Sequence, residues 1–173
     1  MQTLHYLVAA TLDGQIARTD GSFDFFTPVG DEHYADYLDS LRRFSAVVMG
    51  RETYEVGLRL GVTDPYPYLD TYVLSASLGG SPNPRVNIVA GNAVEFVRAL
   101  KRQDGNGIYL CGGAKLAASL LEAGEVDVIT VKLNPLLLGT GIPLFQHVRE
   151  PRLLKLAATK TYGNGVLLLS YHT

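Results

Sequence analysis

Residues 108–123 read Ile108-Tyr109-Leu110-Cys111-Gly112-Gly113-Ala114-Lys115-Leu116-Ala117-Ala118-Ser119-Leu120-Leu121-Glu122-Ala123. The first four make an apolar run of strand length. From Ala114 onward, Leu116, Ala117, Leu120 and Leu121 recur at helical spacing. Two glycines join the pieces, and no Ser, Thr, Asp or Asn stands there to cap the helix. A buried strand that passes through a glycine pair into an amphipathic helix is one step of a parallel α/β sheet.

The same step repeats outward from this stretch. Asn92 caps a helix with Glu95 three residues on, and Ala93, Val94, Val97 and Leu100 line one face. Val86 to Val89 and Thr71 to Leu74 are short strands before it. Ala46 to Met49 is a wholly apolar strand ending at Gly50, and a brief helix follows from Arg51, kept short by Gly57 and Gly61. Tyr34, Tyr37, Leu38, Leu41 and Phe44 define a helix over Asp31 to Phe44, and Leu4 to Ala10 is the first strand. Downstream, Val126 to Leu133 is a strand. Leu153 to Tyr162 and Val166 to His172 form a hairpin turned at Gly163-Asn164-Gly165. The pattern predicts one α/β domain over residues 1–173, with a mostly parallel sheet, helices on both faces and a C-terminal antiparallel hairpin.

Composition narrows the class without naming an activity. The chain has 173 residues, 47% of them hydrophobic and 18% charged, with a net charge of −2. That is a one-domain length with a core large enough to need no staple. The balanced charge argues against a nucleic-acid partner. No run of apolar residues reaches membrane-spanning length, and Met1 is not followed by a secretory leader pattern. The lone Cys111 permits no internal disulfide, which fits a reducing cytoplasm, and its place inside an apolar strand predicts a core residue. His5, His33, His147 and His172 lack ligand spacing, so no metal site is expected.

In an open α/β sheet, ligands bind beyond the carboxyl ends of the strands. Three such ends stand out. At Gly112-Gly113-Ala114-Lys115, residues without a Cβ let a ligand approach the free amides of an uncapped helix, a site for an anion such as a pyrophosphate; the alternative is a tight turn with glycine packing. The dinucleotide fingerprint G-x-G-x-x-G is absent. At Met49-Gly50-Arg51-Glu52-Thr53, a guanidinium and a hydroxyl in a first helical turn suit a phosphate. The alternative there is Arg51 paired with Glu52, Glu55 or Asp31. Leu74-Ser75-Ala76-Ser77 is small and polar, able to border a flat ring. Near the amino end, Thr11-Leu12-Asp13-Gly14-Gln15-Ile16-Ala17 reads equally as a plain turn or as a loop closing over a ligand.

Read together, TLDGQIA (Thr11 to Ala17), AVVMGRETYE (Ala46 to Glu55) and LCGGAKLAASLLEAGEVDVITVKLNPLLLGTGIPLF (Leu110 to Phe145) resemble the dihydrofolate reductase-like superfamily. The nearest branch is the C-terminal reductase domain of the bifunctional riboflavin-biosynthesis deaminase-reductase. The resemblance implies a sheet of eight strands and NADPH as hydride donor. Arg51 and Thr53 would hold the 2′-phosphate side, Gly50 beside them would also be cofactor-binding, and Ser75 would border the adenine. Gly112, Gly113, Ala114 and Lys115 would cradle the pyrophosphate, and Ala10 and Ile16 would flank the nicotinamide. Asp13, in the loop over the active site, and Asp31, at the start of the first helix, are the catalytic candidates.

The implied reaction is that of 5-amino-6-(5-phosphoribosylamino)uracil reductase, hydride transfer to an imine or carbonyl-like carbon, in a cytoplasmic homodimer with a small-molecule substrate. The deaminase half's zinc-ligand pattern is missing from this sequence. Two departures bear on the substrate. Counting back from MGRETY puts Tyr34 where dihydrofolate reductase carries its pterin-binding carboxylate, with Asp31 and Asp36 to either side, and no Lys or Arg cluster marks a substrate phosphate. The alternatives are a dihydrofolate or pterin reductase substitute and a dinucleotide-binding module without turnover.

Overall fold

In the computed structural model, which describes residues 1–26 and 32–173, strand β1 (Leu4–Thr11) takes the middle of the sheet. It pairs in parallel with β6 (Ile108–Gly112) on one side and β7 (Val128–Asn134) on the other. Leu4, Tyr6 and Ala10 are buried on one face of β1, so a central position satisfies both backbone and side chains. Beyond β6 lie β3 (Ala46–Gly50), β4 (Asp70–Leu74) and β5 (Val86–Val89), all parallel. Beyond β7 come β10 (Leu167–His172) and β9 (Lys155–Thr161), each antiparallel to its inner neighbour. The eight-stranded order is β5-β4-β3-β6-β1-β7-β10-β9.

Strand alternation divides the core into two. On one face, α3 (Ala93–Lys101) and α4 (Ala114–Glu122) bring Val97, Leu100, Ala117, Leu120 and Leu121 against Leu4, Tyr6, Val48, Leu110 and Ile129. On the other, α1 (Glu32–Leu41) and α2 (Arg51–Arg59) bring Tyr37, Leu41 and Tyr54 against Val47, Met49, Val73 and Tyr109. Asn92 caps α3 as its sequence predicts, its side chain accepting from the amides of Val94 and Glu95. At the other end of α3, buried Lys101 donates to Asp127 at 2.7 Å and to the Glu125 carbonyl at 2.9 Å. Asp127 also accepts the Leu4 amide at 2.7 Å, so one carboxylate ties α3 to the entry of β1 and β7.

Several boundaries move for local reasons. The first helix ends at Leu41, followed by three successive tight-turn hydrogen bonds, as Phe44 leaves it to stack on Tyr109 at 5.7 Å. β7 starts at Val128, two residues late, since Asp127 is engaged as above. Gly57 does not shorten α2 from within. It forms its exit instead, its carbonyl accepting the amides of Leu60 and Val62 where a Cβ would crowd the Val62 carbonyl at 3.2 Å. A further two-stranded sheet pairs β2 (Gln15–Ala17) with β8 (Ile142–Pro143), strands too short to show an alternating pattern in the sequence. No helix among the described residues is long and apolar enough to cross a membrane.

Candidate functional site

β3 and β6 finish side by side, Met49 opposite Gly112. Helix α2 leaves directly from Gly50 and α4 directly from Gly113, and neither N-terminus has a side-chain cap. A Cβ on Gly50 would stand 3.7 Å from the Gly113 amide nitrogen, so the two helix starts open on one spot. Each brings unpaired N–H groups and the positive end of its dipole. Thr53 Oγ1 lies 3.2 Å from where a Gly113 Cβ would be, adding a hydroxyl to the same opening. Gly112 has φ +124°, a conformation that L side chains rarely adopt, and the Gly112–Gly113 peptide is cis. On the rim, Arg51 pairs with Glu55 at 3.3 Å and Lys115 with Glu52 at 3.5 Å. The Arg51 guanidinium keeps further donors for a second anion.

From this opening a cleft of about 1330 Å³ runs across the α1/α2 face of the sheet. Ile16, Gly50, Arg51, Thr53, Gly113, Ala114 and Lys115 line it, so the structure brings together seven of the residues singled out from sequence. Ala10 is buried in the core on the α3/α4 side of the sheet and Gly112 is buried at the end of β6, so neither lines the cleft. Ser75 sits beyond β4, where its hydroxyl accepts the amides of Ser77 and Leu78 to make a turn. Asp31 lies outside the described residues.

Asp13 does not line the cleft. Its carboxylate accepts from the Thr11 hydroxyl at 2.5 Å and from the amides of Leu138 and Gly139, the latter at 2.7 Å. These bonds, the Thr11 hydroxyl first, hold its carboxyl down at about 2. Gly14, at φ +79°, makes the turn that the Asp-Gly pair predicts.

The middle of the cleft is built by residues of the buried strand β6 and the apolar face of α1, together with Tyr66 of the loop after α2. Tyr109 and Cys111 share the α1/α2 face of β6, because residues two apart on a strand point the same way. Cys111 packs against the core of that face, as its place in an apolar strand predicts, and also lines the cleft. Tyr37 reaches in from α1 and Tyr66 from the loop after α2. The Tyr37 hydroxyl donates to Tyr66 at 3.2 Å, and the Tyr66 hydroxyl meets Cys111 Sγ at 3.3 Å and the Tyr109 hydroxyl at 3.5 Å. Burial raises the pKa of all three phenols and of the thiol, so each holds its proton.

Asp36 also faces the cleft from α1. Its Oδ2 accepts from Lys160 and from the Tyr162 hydroxyl, each at 2.6 Å. The Lys160 and Tyr162 hydrogen bonds lower the Asp36 pKa, and burial with the Asp36 bond pushes Tyr162 up to about 12. The period of two across Tyr109 and Cys111 is the sequence signal that could have found this floor; nothing local marks Tyr66.

Comparisons with known proteins give the same fold. The uncharacterized YwjB protein of Bacillus subtilis strain 168 is 33% identical over 164 residues, covering 93% of this chain and 92% of the relative. A crystallised protein from Shewanella sp. PV-4, assigned to riboflavin biosynthesis, superposes with a TM-score of 0.86 at 24% identity, over 99% of this chain and 98% of that one. Dihydrofolate reductase from Enterococcus faecalis, in complex with NADP(H) and RAB-propyl, gives a TM-score of 0.71 at 18% identity, over 98% and 95% of the two chains. The architecture is dihydrofolate reductase-like. The sequence pattern of the RibD C-terminal domain matches residues 73–168, from within β4 to within β10 and through the glycine pair between. With more than half its length matched, the chain belongs to the RibD C-terminal domain family.

Proposed function

We propose that the protein is an NADPH-dependent reductase of the kind that reduces 5-amino-6-(5-phosphoribosylamino)uracil, transferring hydride to an imine or carbonyl-like carbon of a small substrate. The observation that carries the reading is the meeting of two uncapped helix N-termini at Gly50 and Gly113, beside the Thr53 hydroxyl. Bare amides and two dipole ends favour a pyrophosphate there, and the space that a Gly113 side chain would fill is the space such a group needs. Family membership and the NADP(H) complex of the Enterococcus relative support the same cofactor.

Within this reading, NADPH when bound supplies the hydride. Arg51, at the first position of α2, takes the 2′-phosphate with the donors that Glu55 leaves free, and Thr53 and the α4 amides take the pyrophosphate. Ile16, from the strand after the Asp13 turn, covers the nicotinamide end and excludes water. Asp13 serves at a distance, by fixing that turn to Leu138 and Gly139. A dihydrofolate reductase substitute is the second reading, favoured by Asp36 on α1. Its Oδ2 is already occupied by Lys160 and Tyr162, which leaves it ill suited to a pterin amidine. The protein works as a cytoplasmic homodimer, with the exposed terminal strands as its interface.

The test is paired titration of wild type and Arg51→Ala with NADPH and NADH. NADPH affinity should fall about ten- to a hundredfold, the worth of a charged hydrogen bond, with NADH nearly unchanged. Equal losses for the two cofactors would show that Arg51 does not read the phosphate.

A further inference from the structure

The two cations at the opening between α2 and α4 each hold a carboxylate, and the two pairs are built differently. Arg51 meets Glu55 at 3.3 Å on its own helix, four residues on. Lys115, at the second position of α4, meets Glu52 at 3.5 Å, at the second position of α2. That pair spans the mouth of the opening from one helix start to the other, and both side chains line the cleft. A lysine in a first helical turn opposes the helix dipole, whereas a carboxylate there favours it. Glu52 therefore places one negative charge where two dipole ends and an ammonium converge, on the ground that the cofactor reading gives to a phosphate oxygen. Both side chains are 67% exposed, and ion pairs so exposed are weak and open readily.

We propose that Glu52 is a built-in competitor for the anion at this opening: its carboxylate holds Lys115 and repels an incoming pyrophosphate, and the dinucleotide binds by displacing it. Glu52 thereby sets how tightly the protein holds its cofactor without contributing a bond to it. An ionised carboxylate only accepts hydrogen bonds, as phosphate oxygens do, so the two have nothing to exchange except repulsion. Glu55 stands one turn further along α2, and its partner Arg51 is assigned to the 2′-phosphate, so the two carboxylates act on different parts of the cofactor. Glu52 should bear equally on NADPH and NADH. The inference rests on the reductase reading for the identity of the nucleotide, and on the Glu52–Lys115 pair for its chemistry.

Calorimetric titration of the full chain with NADPH, NADH and inorganic pyrophosphate, at low ionic strength, tests this. Glu52→Gln should bind all three about two- to fivefold more tightly than wild type, the worth of an exposed ion pair, with the ratio of NADPH to NADH affinity unchanged. In 1 M salt, where charges are screened beyond about 3 Å, the gain should shrink. Glu95→Gln is the control. Glu95 is an exposed carboxylate in the first turn of α3 and is not among the cleft-lining residues, so its loss removes the same charge from a comparable place and should leave all three affinities within twofold. Glu52→Gln also gives up a carboxylate at the positive end of α2 and should melt slightly lower than wild type, so its tighter binding would not come from a firmer fold.

Affinities unchanged or weakened in Glu52→Gln would overturn the proposal. So would an equal gain from Glu95→Gln, which would trace the effect to net charge, or a gain of full size in a Lys115→Gln background, which would remove the hold on Lys115. Pyrophosphate bound more tightly by Glu52→Gln, with neither nucleotide bound by any form of the protein, would leave the competitor standing and sink the cofactor reading. NADPH bound with an affinity indifferent to Glu52 would do the opposite, and no binding of any of the three at millimolar concentration would sink both.

Discussion

The Asp13 carboxylate joins two segments far apart in sequence, the turn after β1 and the amides of Leu138 and Gly139. Its pKa of about 2 follows first from the Thr11 hydroxyl and then from those amides. An unfolded chain takes up this proton near pH 4, before the folded one does, so the contribution of Asp13 is complete above that pH and is lost as pH falls toward 2. Asp13→Asn should therefore lower the melting temperature at neutral pH, and the gap from wild type should close between about pH 4 and pH 2. A gap that stays constant across that range, in thermal melts by circular dichroism, would show that the carboxylate charge is not what the clamp uses. The sequence marked Asp13 as part of a turn or a closing loop but hid its partners, because Leu138 and Gly139 stand more than a hundred residues away. Arg51 was legible in a different way: a cation in a first helical turn is misplaced unless an anion answers it, and in the structure Glu55 answers it first.

Adjacent glycines in β6 and α4 do different work at the level of the elements. Gly112 has φ +124°, so any side chain there strains the backbone by about 1–3 kcal/mol although space exists for it. Gly113 has φ −90° and ψ −165°, ordinary extended backbone, and its Cβ would meet only the flexible Thr53 hydroxyl. Gly112→Ala should lower the melting temperature and leave NADPH able to raise it again. Gly113→Leu should stay folded within the stability of a domain this size and lose stabilisation by NADPH, since its side chain would fill the opening between the two helix starts. Melts with and without millimolar NADPH decide; a Gly113→Leu protein stabilised as much as wild type would remove the pyrophosphate cradle. These strand-to-helix steps were the most legible part of the chain, because periodicity and missing caps are local signals. The β2–β8 ribbon was not. It depends on Gly141, whose Cβ would press into the Ala17 carbonyl, a closeness that only the folded chain creates.

Across the whole molecule, the sheet's two ends differ. The last strand in the order, β9, is exposed along its full length, with Leu156 53% accessible and Leu153 wholly so just before it. An open edge with apolar side chains invites pairing, which supports the proposed homodimer. Sedimentation equilibrium should give a dimer for wild type and a monomer for Leu156→Glu; a wild-type monomer at tens of micromolar would refute it. The sequence showed the hairpin and its turn but not the bareness of β9, since β-propensity does not say which strand ends a sheet. Strand order itself is the least local property of all. β1 is made first yet lies between β6 and β7, so about 120 residues must follow it before its second neighbour exists. At about 5–20 residues per second, an apolar segment holding Leu4, Tyr6 and Ala10 waits roughly 6–25 seconds for that neighbour during synthesis on the ribosome. For that interval the future centre of the sheet is an unpaired apolar strand, the form of the chain most open to aggregation.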